Sequence, residues 1–277
     1  MKDALTCLIL PPFPSSSAAT NNLDISNKKS IMARSKQSTG LMKTAQNTHC
    51  VDILREQCKT ESKRPFIARG SNAIRCTHCL MAEFACFCHL RESQASPIEF
   101  ILLFHRDEIH KPTNSGRLIA DLFPDDTHAY LWSRTAPSQA LLDLIKSRQG
   151  NCTILFPNTE TAQEQKRQVR SIAPSSNKGD EKHTFIILDG TWKQASKMFH
   201  QSEWLRNTPH FEINSEAQRS FLVRHSSHQM QFATAEVTAM LLDSLGHEQH
   251  SKLLLNYYQA FNEHCLISRK RGNNEQL

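Results

Sequence analysis

A carboxylate, a glycine and a hydroxyl follow one another directly behind an apolar segment of this chain. The segment His183–Leu188 has the largely apolar, β-branched composition of a buried strand, and Asp189-Gly190-Thr191-Trp192 comes next. In open α/β sheets ligands bind at the carboxyl ends of strands, where turns expose backbone amides and helices begin. A carboxylate in that position costs free energy unless it is paired, hydrogen-bonded or functional. We therefore predict that Asp189 lies in a ligand site.

The residues after Gly190 also have a purely structural interpretation. Thr191 and Gln194 have the spacing of a capping box, which predicts that Thr191 begins a helix over Trp192–Phe199. Trp192, one position into that helix, is predicted to pack inside the protein.

A second polar segment, residues 105–118, begins where the candidate strand Phe100–Phe104 ends. It combines imidazole, carboxylate, cationic and hydroxyl groups with a glycine that permits close backbone approach. Such a loop is suited to a ligand with both a carboxylate and an amine, and the alternative is a polar turn before a helix. The candidate ligand-binding residues are His105, Glu108, Lys111, Asn114, Ser115, Gly116 and Arg117.

A third group lies further along the chain. Arg224 ends a candidate strand, Ser220–Val223, and Thr234 and Glu236 stand at the start of an apolar helix. A carboxylate at that position is stabilised by the helix dipole without any functional role.

Four cysteines fall within thirteen positions, as a C-x2-C and a C-x-C pair. Thiolates are soft ligands, and two short turns can place four sulfurs around a structural zinc ion, whose binding energy substitutes for a core. The predicted ligands are Cys76, Cys79, Cys86 and Cys88, with His78 and His89 as possible substitutes. The alternative is that these cysteines are merely buried or redox-active. A disulfide framework does not fit nine cysteines without a secretory signal.

The elements that must position these residues alternate between short apolar strands and amphipathic helices, which predicts an α/β fold. Continuous hydrophobicity favours strands covered on both faces, as in a parallel sheet. The predicted strands are Phe100–Phe104, Ala129–Trp132, Cys152–Phe156, Phe185–Leu188 and Ser220–Val223. Further helices are predicted over Ser138–Arg148, Thr234–Leu245 and Ser251–Cys265, and residues 160–182 as a helix ending in a loop.

Composition divides the 277 residues into a tail and a domain. Residues 1–60 are rich in Ser, Asn, Thr and Lys without a sustained period, which predicts a mobile, disordered extension. The domain would span 61–277, with a cysteine-rich module at about 70–92 and a catalytic α/β region at about 97–265. The whole positive surplus, 11 basic against 5 acidic residues, lies within residues 1–70. That surplus suits either a solubilising extension or contact with phosphates.

Taken in order, these motifs closely resemble those of the DTW-domain family of tRNA-uridine aminocarboxypropyltransferases. The resemblance covers about residues 70–262 and rests on the cysteine cluster, the segment Pro112–Leu118, Asp189–Trp192, and Arg224 followed by Thr234-x-Glu236. Two positions depart from the family pattern. Ser115 stands where a threonine is common, and Ala233 stands where a serine is common.

The resemblance implies an enzyme that transfers the 3-amino-3-carboxypropyl group of S-adenosylmethionine to N3 of a uridine in tRNA, releasing methylthioadenosine. It implies a fold similar to the SPOUT class of α/β RNA-modifying enzymes. Asp189 is our first choice of general base for the N3 proton and Glu236 the second, with His105 or Glu108 as alternatives. Lys111, Asn114, Arg117 and the amides around Ser115-Gly116 are candidates for binding the methionine part of the donor. The resemblance also implies catalytic roles for Thr191 and Trp192 beside the two carboxylates. It implies cofactor-binding roles for His105, Glu108, Arg224 and Thr234.

Two other functions remain open from the sequence. One is an S-adenosylmethionine-dependent RNA methyltransferase, and the other is a zinc-stabilised RNA-binding protein without catalysis. No segment predicts a bilayer span, because the apolar patch Leu5–Leu10 is too short. A cytoplasmic protein is expected, and the sequence leaves its oligomeric state open.

Overall fold

A single parallel sheet forms the centre of the domain. The computed structural model describes residues 48–62, 74–156, 181–213 and 232–274. Within them the sheet has five strands in the order β2-β1-β4-β3-β5, and every neighbouring pair is parallel. The strands are β1 (Glu99–Phe104), β2 (Thr127–Leu131), β3 (Cys152–Leu155), β4 (Thr184–Asp189) and β5 (His210–Phe211). The predicted parallel α/β architecture is confirmed.

Four predicted strands appear within a few residues of their expected bounds, whereas the predicted strand Ser220–Val223 lies outside the described residues. Strand β5 was not predicted. It has only two residues, His210 and Phe211, which is too short for a recognisable hydrophobic pattern.

Helices cover both faces of the sheet. They are α1 (Cys50–Glu61), α2 (Arg117–Leu122), α3 (Gln139–Ser147), α4 (Trp192–Gln201), α5 (Thr234–Ser244) and α6 (Glu248–Asn274). Alternate strand residues point to opposite faces. Phe100 and Leu102 pack with α1, α2, α5 and α6, while Ile101 and Leu103 pack with α3 and α4. The helices predicted over Ser138–Arg148, Trp192–Phe199, Thr234–Leu245 and Ser251–Cys265 are present, and α6 extends beyond its predicted bounds. The helix predicted to begin at residue 160 lies outside the described residues. Among the described helices, none is long and apolar enough to cross a bilayer.

Helix α1 lies inside the stretch that was predicted to be disordered, so that prediction is wrong for residues 48–60. The helix packs through Val51 and Cys58, which are at most 5 % exposed. It also buries Asp52 and Arg55, joined by a 2.6 Å ion pair. Because half of the buried face is charged, the segment shows no clear apolar period in the sequence.

The two central strands β1 and β4 define a crevice at their carboxyl ends. Phe104 pairs with Asp189 in the parallel register. After β1 the chain continues to β2 on one side, whereas after β4 it continues to β5 on the other side. Ligands bind at such switch points, because the two following loops diverge and leave a gap between them. The fold therefore places residues 105–118 and 189–192 around one crevice.

Candidate active site

The Asp189 carboxylate lies in this crevice and only 1 % of the residue is exposed. Asn114 Nδ2 donates a 2.5 Å hydrogen bond to its Oδ1. The Thr234 side chain and the Gly116 backbone amide also hydrogen-bond the carboxylate. Burial raises the pKa of Asp189 to about 6, even though these hydrogen bonds favour the ionised form. Three motifs that are far apart in the sequence therefore meet at one carboxylate.

The loop that reaches Asp189 is fixed by its own hydrogen bonds. Asn114 Oδ1 accepts from the Arg117 backbone amide at 3.1 Å, which leaves the amide NH2 group to face the carboxylate. Gly116 lies against the same carboxylate. A Cβ atom on Gly116 would lie 2.7 Å from Asp189 Cγ and closer still to Oδ2. Only glycine allows the loop to come this close to Asp189.

Helix α5 begins beside the same loop. Glu236 accepts a 2.7 Å hydrogen bond from the Ala233 backbone amide, so it caps the helix. Ser115 Oγ lies 3.5 Å from the Ala235 amide, at the long end of hydrogen-bond distances. The hydroxyl that Ala233 lacks at the helix start is thus replaced by one from the β1–α2 loop.

Thr191 begins helix α4, as predicted. Its Oγ1 accepts from the Gln194 amide at 3.4 Å, and Gln194 Oε1 accepts from the Thr191 amide at 2.7 Å. Gln194 Nε2 also lies 3.1 Å from His105 Nδ1, which joins α4 to the end of β1.

The prediction that Trp192 is packed inside is wrong, because the residue is 52 % exposed. Its ring stacks on Phe156, with the centroids 5.7 Å apart and the planes at 8°. Phe156 itself is 3 % exposed and stacks on Phe199 at 4.1 Å. Phe156 fills the interior position that the sequence suggested for the tryptophan.

A cavity of about 440 Å³ opens between the carboxyl ends of β3 and β4 and the starts of α4 and α5. Its lining is mainly apolar and aromatic, and it includes one acidic residue, Glu236. It is lined by Leu155, Phe156, Ile187, Leu188, Gly190, Thr191, Trp192, Ala195, Ile213, Phe232, Ala233, Thr234, Glu236, Val237, Met240 and Tyr258. Among the described residues this lining contains no lysine or arginine. Asp189 is not part of it, because its carboxylate is turned toward Asn114 and Gly116.

Two other predicted residues form a pair at the edge of the crevice. Lys111 Nζ lies 2.6 Å from Glu108 Oε1, and Glu108 is 8 % exposed. His105 stacks with Trp132, with ring centroids 5.8 Å apart. Lys111, Glu108 and His105 do not line the cavity.

The Arg117 side chain does not face the cavity, as the predicted role in binding the ligand would require. Its side chain points from the start of α2 toward the cysteine-rich segment and is 2 % exposed. It donates a 2.8 Å hydrogen bond to the His78 carbonyl, and its guanidinium lies 5.5 Å from the Phe87 ring. Every residue of α2 is buried, so the arginine at its start is directed into the protein interior instead of into the cavity.

The four predicted metal ligands meet in one cluster. The sulfurs of Cys76, Cys79, Cys86 and Cys88 lie within 4.8 Å of one another. Cys76 Sγ is 3.7 Å from Cys88 Sγ, and Cys79 Sγ is 3.8 Å from Cys86 Sγ. Tetrahedral zinc with Zn–S bonds of about 2.3 Å requires sulfurs about 3.8 Å apart, so the cluster fits that ion.

The histidines suggested as substitute ligands lie elsewhere. His78 Nδ1 is 4.0 Å from Asp52 Oδ2, and the His89 ring lies against His264. Within the cluster, the hydrogen bond between Cys79 and Cys88 lowers the pKa of the Cys79 thiol and raises the pKa of the Cys88 thiol. Thiols this close share protons, and a divalent cation would displace them.

Comparison with known families agrees with this arrangement. The family model described as the DTW domain matches residues 73–266, which is more than half of the chain. The chain belongs to the DTW domain family. The matched segment begins at the cysteine cluster and ends in α6, and it includes the crevice and the cavity.

One curated relative of this DTW domain is tRNA-uridine aminocarboxypropyltransferase 2 from Macaca fascicularis, which is 23 % identical over 174 residues. The alignment covers 61 % of this chain and 56 % of the relative, so the chain spans little more than half of that protein's length. No solved structure matches the chain.

Several residues of the DTW domain site could not be recognised from the sequence. Phe156, Tyr258 and Met240 line the cavity but read as ordinary strand and helix residues. The predicted site residue Arg224 lies outside the described residues.

Proposed function

We propose that this chain transfers the 3-amino-3-carboxypropyl group of S-adenosylmethionine to N3 of a uridine in tRNA and releases methylthioadenosine. The observation that carries the proposal is the convergence of Asn114–Gly116, Asp189–Trp192 and Thr234–Glu236 beside one cavity. The relative named as a tRNA-uridine aminocarboxypropyltransferase supplies the reaction class. The proposal includes a SPOUT-like architecture, a structural zinc ion and action in the cytoplasm.

The cavity suits the donor in size and in chemistry. A volume of about 440 Å³ is in the range of small-molecule sites, and its aromatic lining suits an adenine ring. The first turn of α4 opens onto it and contains no acidic residue, so its partial positive charge favours the methionine carboxylate. The first turn of α5 already holds the carboxylate of Glu236. We propose that the start of α4 takes the role that the sequence suggested for Arg117.

The reaction requires that the donor be held in one orientation and that a nearby group accept the N3 proton of the uridine. Uridine N3 would attack the γ-carbon of the methionine moiety, the carbon–sulfur bond would break, and its electron pair would leave on the sulfur of methylthioadenosine. The N3 proton would pass to a carboxylate. Glu236 borders the cavity, so we propose it as the base in preference to the enclosed Asp189. Asp189 would then act as a positioning residue that holds the three motifs together.

The test is incubation of the purified chain with unmodified tRNA and S-adenosylmethionine labelled either in the methyl group or in the aminobutyrate carbons. We expect only the aminobutyrate label to enter tRNA. Methyl label alone in the tRNA would instead establish a methyltransferase, and no label of either kind would support a binding protein.

The proposed base has a matched control. Glu236→Gln keeps an oxygen that can accept from the Ala233 amide, so the cap is preserved while the proton acceptor is lost. We expect transfer to fall by about 10²-fold or more with donor affinity retained. Glu248→Gln, at an exposed position in α6, should retain full transfer. Equal activity of both variants would exclude Glu236 as the base.

A further inference from the structure

Helix α4 begins at the cavity and exposes cationic and aromatic side chains. Trp192, Lys193 and Lys197 are exposed, and the ten residues Trp192–Gln201 contain no Asp or Glu. Lys193 and Lys197 are four residues apart, so they lie on the same side of the helix. The helix thus carries two cations on one face without an acidic neighbour of its own.

The loop after β2 continues this face. Lys197 Nζ lies 5.9 Å from the Trp132 ring, and Trp132 Nε1 donates a 2.8 Å hydrogen bond to Ser202 Oγ. Arg134, two residues after Trp132, is exposed. A fixed indole therefore joins α4 to a loop that adds a third cation.

None of Lys193, Lys197 and Arg134 forms an ion pair within the part of the chain that the structure describes. Exposed lysines elsewhere differ, since Lys59 lies 2.6 Å from Glu56 and Lys252 lies 3.6 Å from Glu248. Unneutralised cations clustered on one face attract a polyanion.

Trp192 adds a second, independent feature. One face of its ring rests on Phe156, and the residue is half exposed at the rim of the cavity. A rigidly supported aromatic ring at the edge of a binding cavity is suited to stack on a nucleic-acid base.

From these features we propose that the exposed face of α4, together with Arg134, is the tRNA-binding surface. Lys193, Lys197 and Arg134 bind phosphates, and Trp192 stacks on an unpaired base at the mouth of the cavity. This inference rests on the proposed function, because it takes tRNA as the substrate. The proposed surface places the RNA at the face of the sheet that α4 covers, and not at the opposite face, which α6 covers.

The charge part is tested by the salt dependence of tRNA binding. We compare the double variant Lys193→Ala/Lys197→Ala with Lys59→Ala/Lys252→Ala, which removes the same charge from exposed positions outside this face. Losing two phosphate contacts should reduce the slope of log K against log salt by about 1.5 and weaken binding by roughly tenfold at moderate salt. The control should bind like the wild type. Equal slopes for all three proteins would overturn the proposed surface.

The stacking part is tested by fluorescence. Titration with tRNA should quench Trp192 emission, so Trp192→Phe should lose this quenching and keep most of its affinity. Trp192→Ala should bind roughly 5- to 150-fold more weakly, the equivalent of about 1–3 kcal/mol per stacked base. Trp204→Phe is the control, because that indole donates to the Ser133 carbonyl. Unchanged quenching in Trp192→Phe would overturn the stacking role.

Failure of this inference and failure of the proposed function are distinguishable. If the wild type transfers no group but the lysine variants lose tRNA affinity, the surface stands and the reaction is wrong. If the wild type modifies tRNA while the lysine variants keep their affinity and salt slope, the reaction stands and the surface is wrong. Unchanged S-adenosylmethionine affinity of the lysine variants, measured by calorimetry, confirms that they are folded.

Discussion

At the scale of single residues, Asp189 acts as the point to which distant motifs are joined. Its carboxylate touches Asn114 and Gly116 from the β1–α2 loop and Thr234 from the start of α5. Each of these residues has a type that the contact requires, namely an amide donor, a residue without a side chain and a hydroxyl. The raised pKa shows that burial outweighs the three hydrogen bonds.

The close approach of Gly116 gives a first prediction. Gly116→Ala should lower the free energy of unfolding by about 1–3 kcal/mol, because the new methyl group overlaps the Asp189 carboxylate. The measurement is urea unfolding. In an Asp189→Ala background the same change should cost much less, since the overlapping group is gone. Additive costs in this double-mutant cycle would mean that the two residues do not conflict.

The buried carboxylate also predicts an unusual pH dependence. The pKa of Asp189 is about 6 in the folded chain against an ordinary 3.8, so between these values the folded state binds a proton that the unfolded state does not. Relative to Asp189→Asn, the wild type should therefore gain about 2 kcal/mol of stability as the pH falls from 7 to 4. Unfolding at several pH values measures this difference. A constant difference would show that the Asp189 pKa is not raised.

At the scale of elements, a buried polar network joins α1, α2 and α6. Asp121 in α2 lies 2.8 Å from His49 Nε2 before α1, and it accepts a 3.1 Å hydrogen bond from Tyr257 in α6. Arg91 is 2.5 Å and Arg117 3.6 Å from the same carboxylate. Burial alone would raise the pKa of Asp121, but these partners hold it well below its usual range. The network explains why α1 belongs to the domain.

Removing the centre of this network should be costly. Asp121→Ala leaves two buried guanidinium groups without their carboxylate, and we expect a loss of about 3–5 kcal/mol in the free energy of unfolding. Glu203→Ala removes an exposed carboxylate that pairs with Arg206 at 2.6 Å, and it should cost at most about 1 kcal/mol. Chemical unfolding of both variants measures the contrast. Similar losses would mean that Asp121 carries no more stability than a surface ion pair.

At the scale of the whole molecule, the cysteine cluster is connected to the crevice. Arg117 donates to the His78 carbonyl inside the C-x2-C turn, and its own backbone amide donates to Asn114, the residue that holds Asp189. Arg55 in α1 reaches the neighbouring Thr77 carbonyl at 3.1 Å. A change in the cluster can therefore reach the loop that forms the site.

Metal removal tests this connection. We expect one zinc ion per chain by elemental analysis, and Cys79→Ser should lose the ion and unfold at a midpoint several degrees lower. Cys50→Ser, at a cysteine of α1 outside the cluster, should keep the metal. A strong chelator should weaken S-adenosylmethionine binding in the wild type, because the loop at Asn114 loses its support. Unchanged donor affinity after complete metal loss would show that the cluster and the crevice are independent.

The sequence alone determined the parts that depend on local chemistry. Strand β4, the cap at Thr191 and the cluster of four cysteines follow from apolar runs and short spacings, because nearby residues in the chain dictate them. The parallel sheet followed from strands too apolar to face water. The family motifs contain the residues that meet at Asp189, but they do not indicate which side chains face the cavity.

Tertiary packing decided the rest. Arg117 is buried where a ligand contact was predicted, because every residue of α2 is buried. Trp192 is exposed where a buried position was predicted, because the first residues of α4 are exposed. Helix α1 was missed because part of its support is polar and distant in sequence: His49, just before the helix, lies 2.8 Å from Asp121, 72 positions away. The sequence lists the groups that can do chemistry, but whether each faces the cavity depends on contacts between elements that no local pattern encodes.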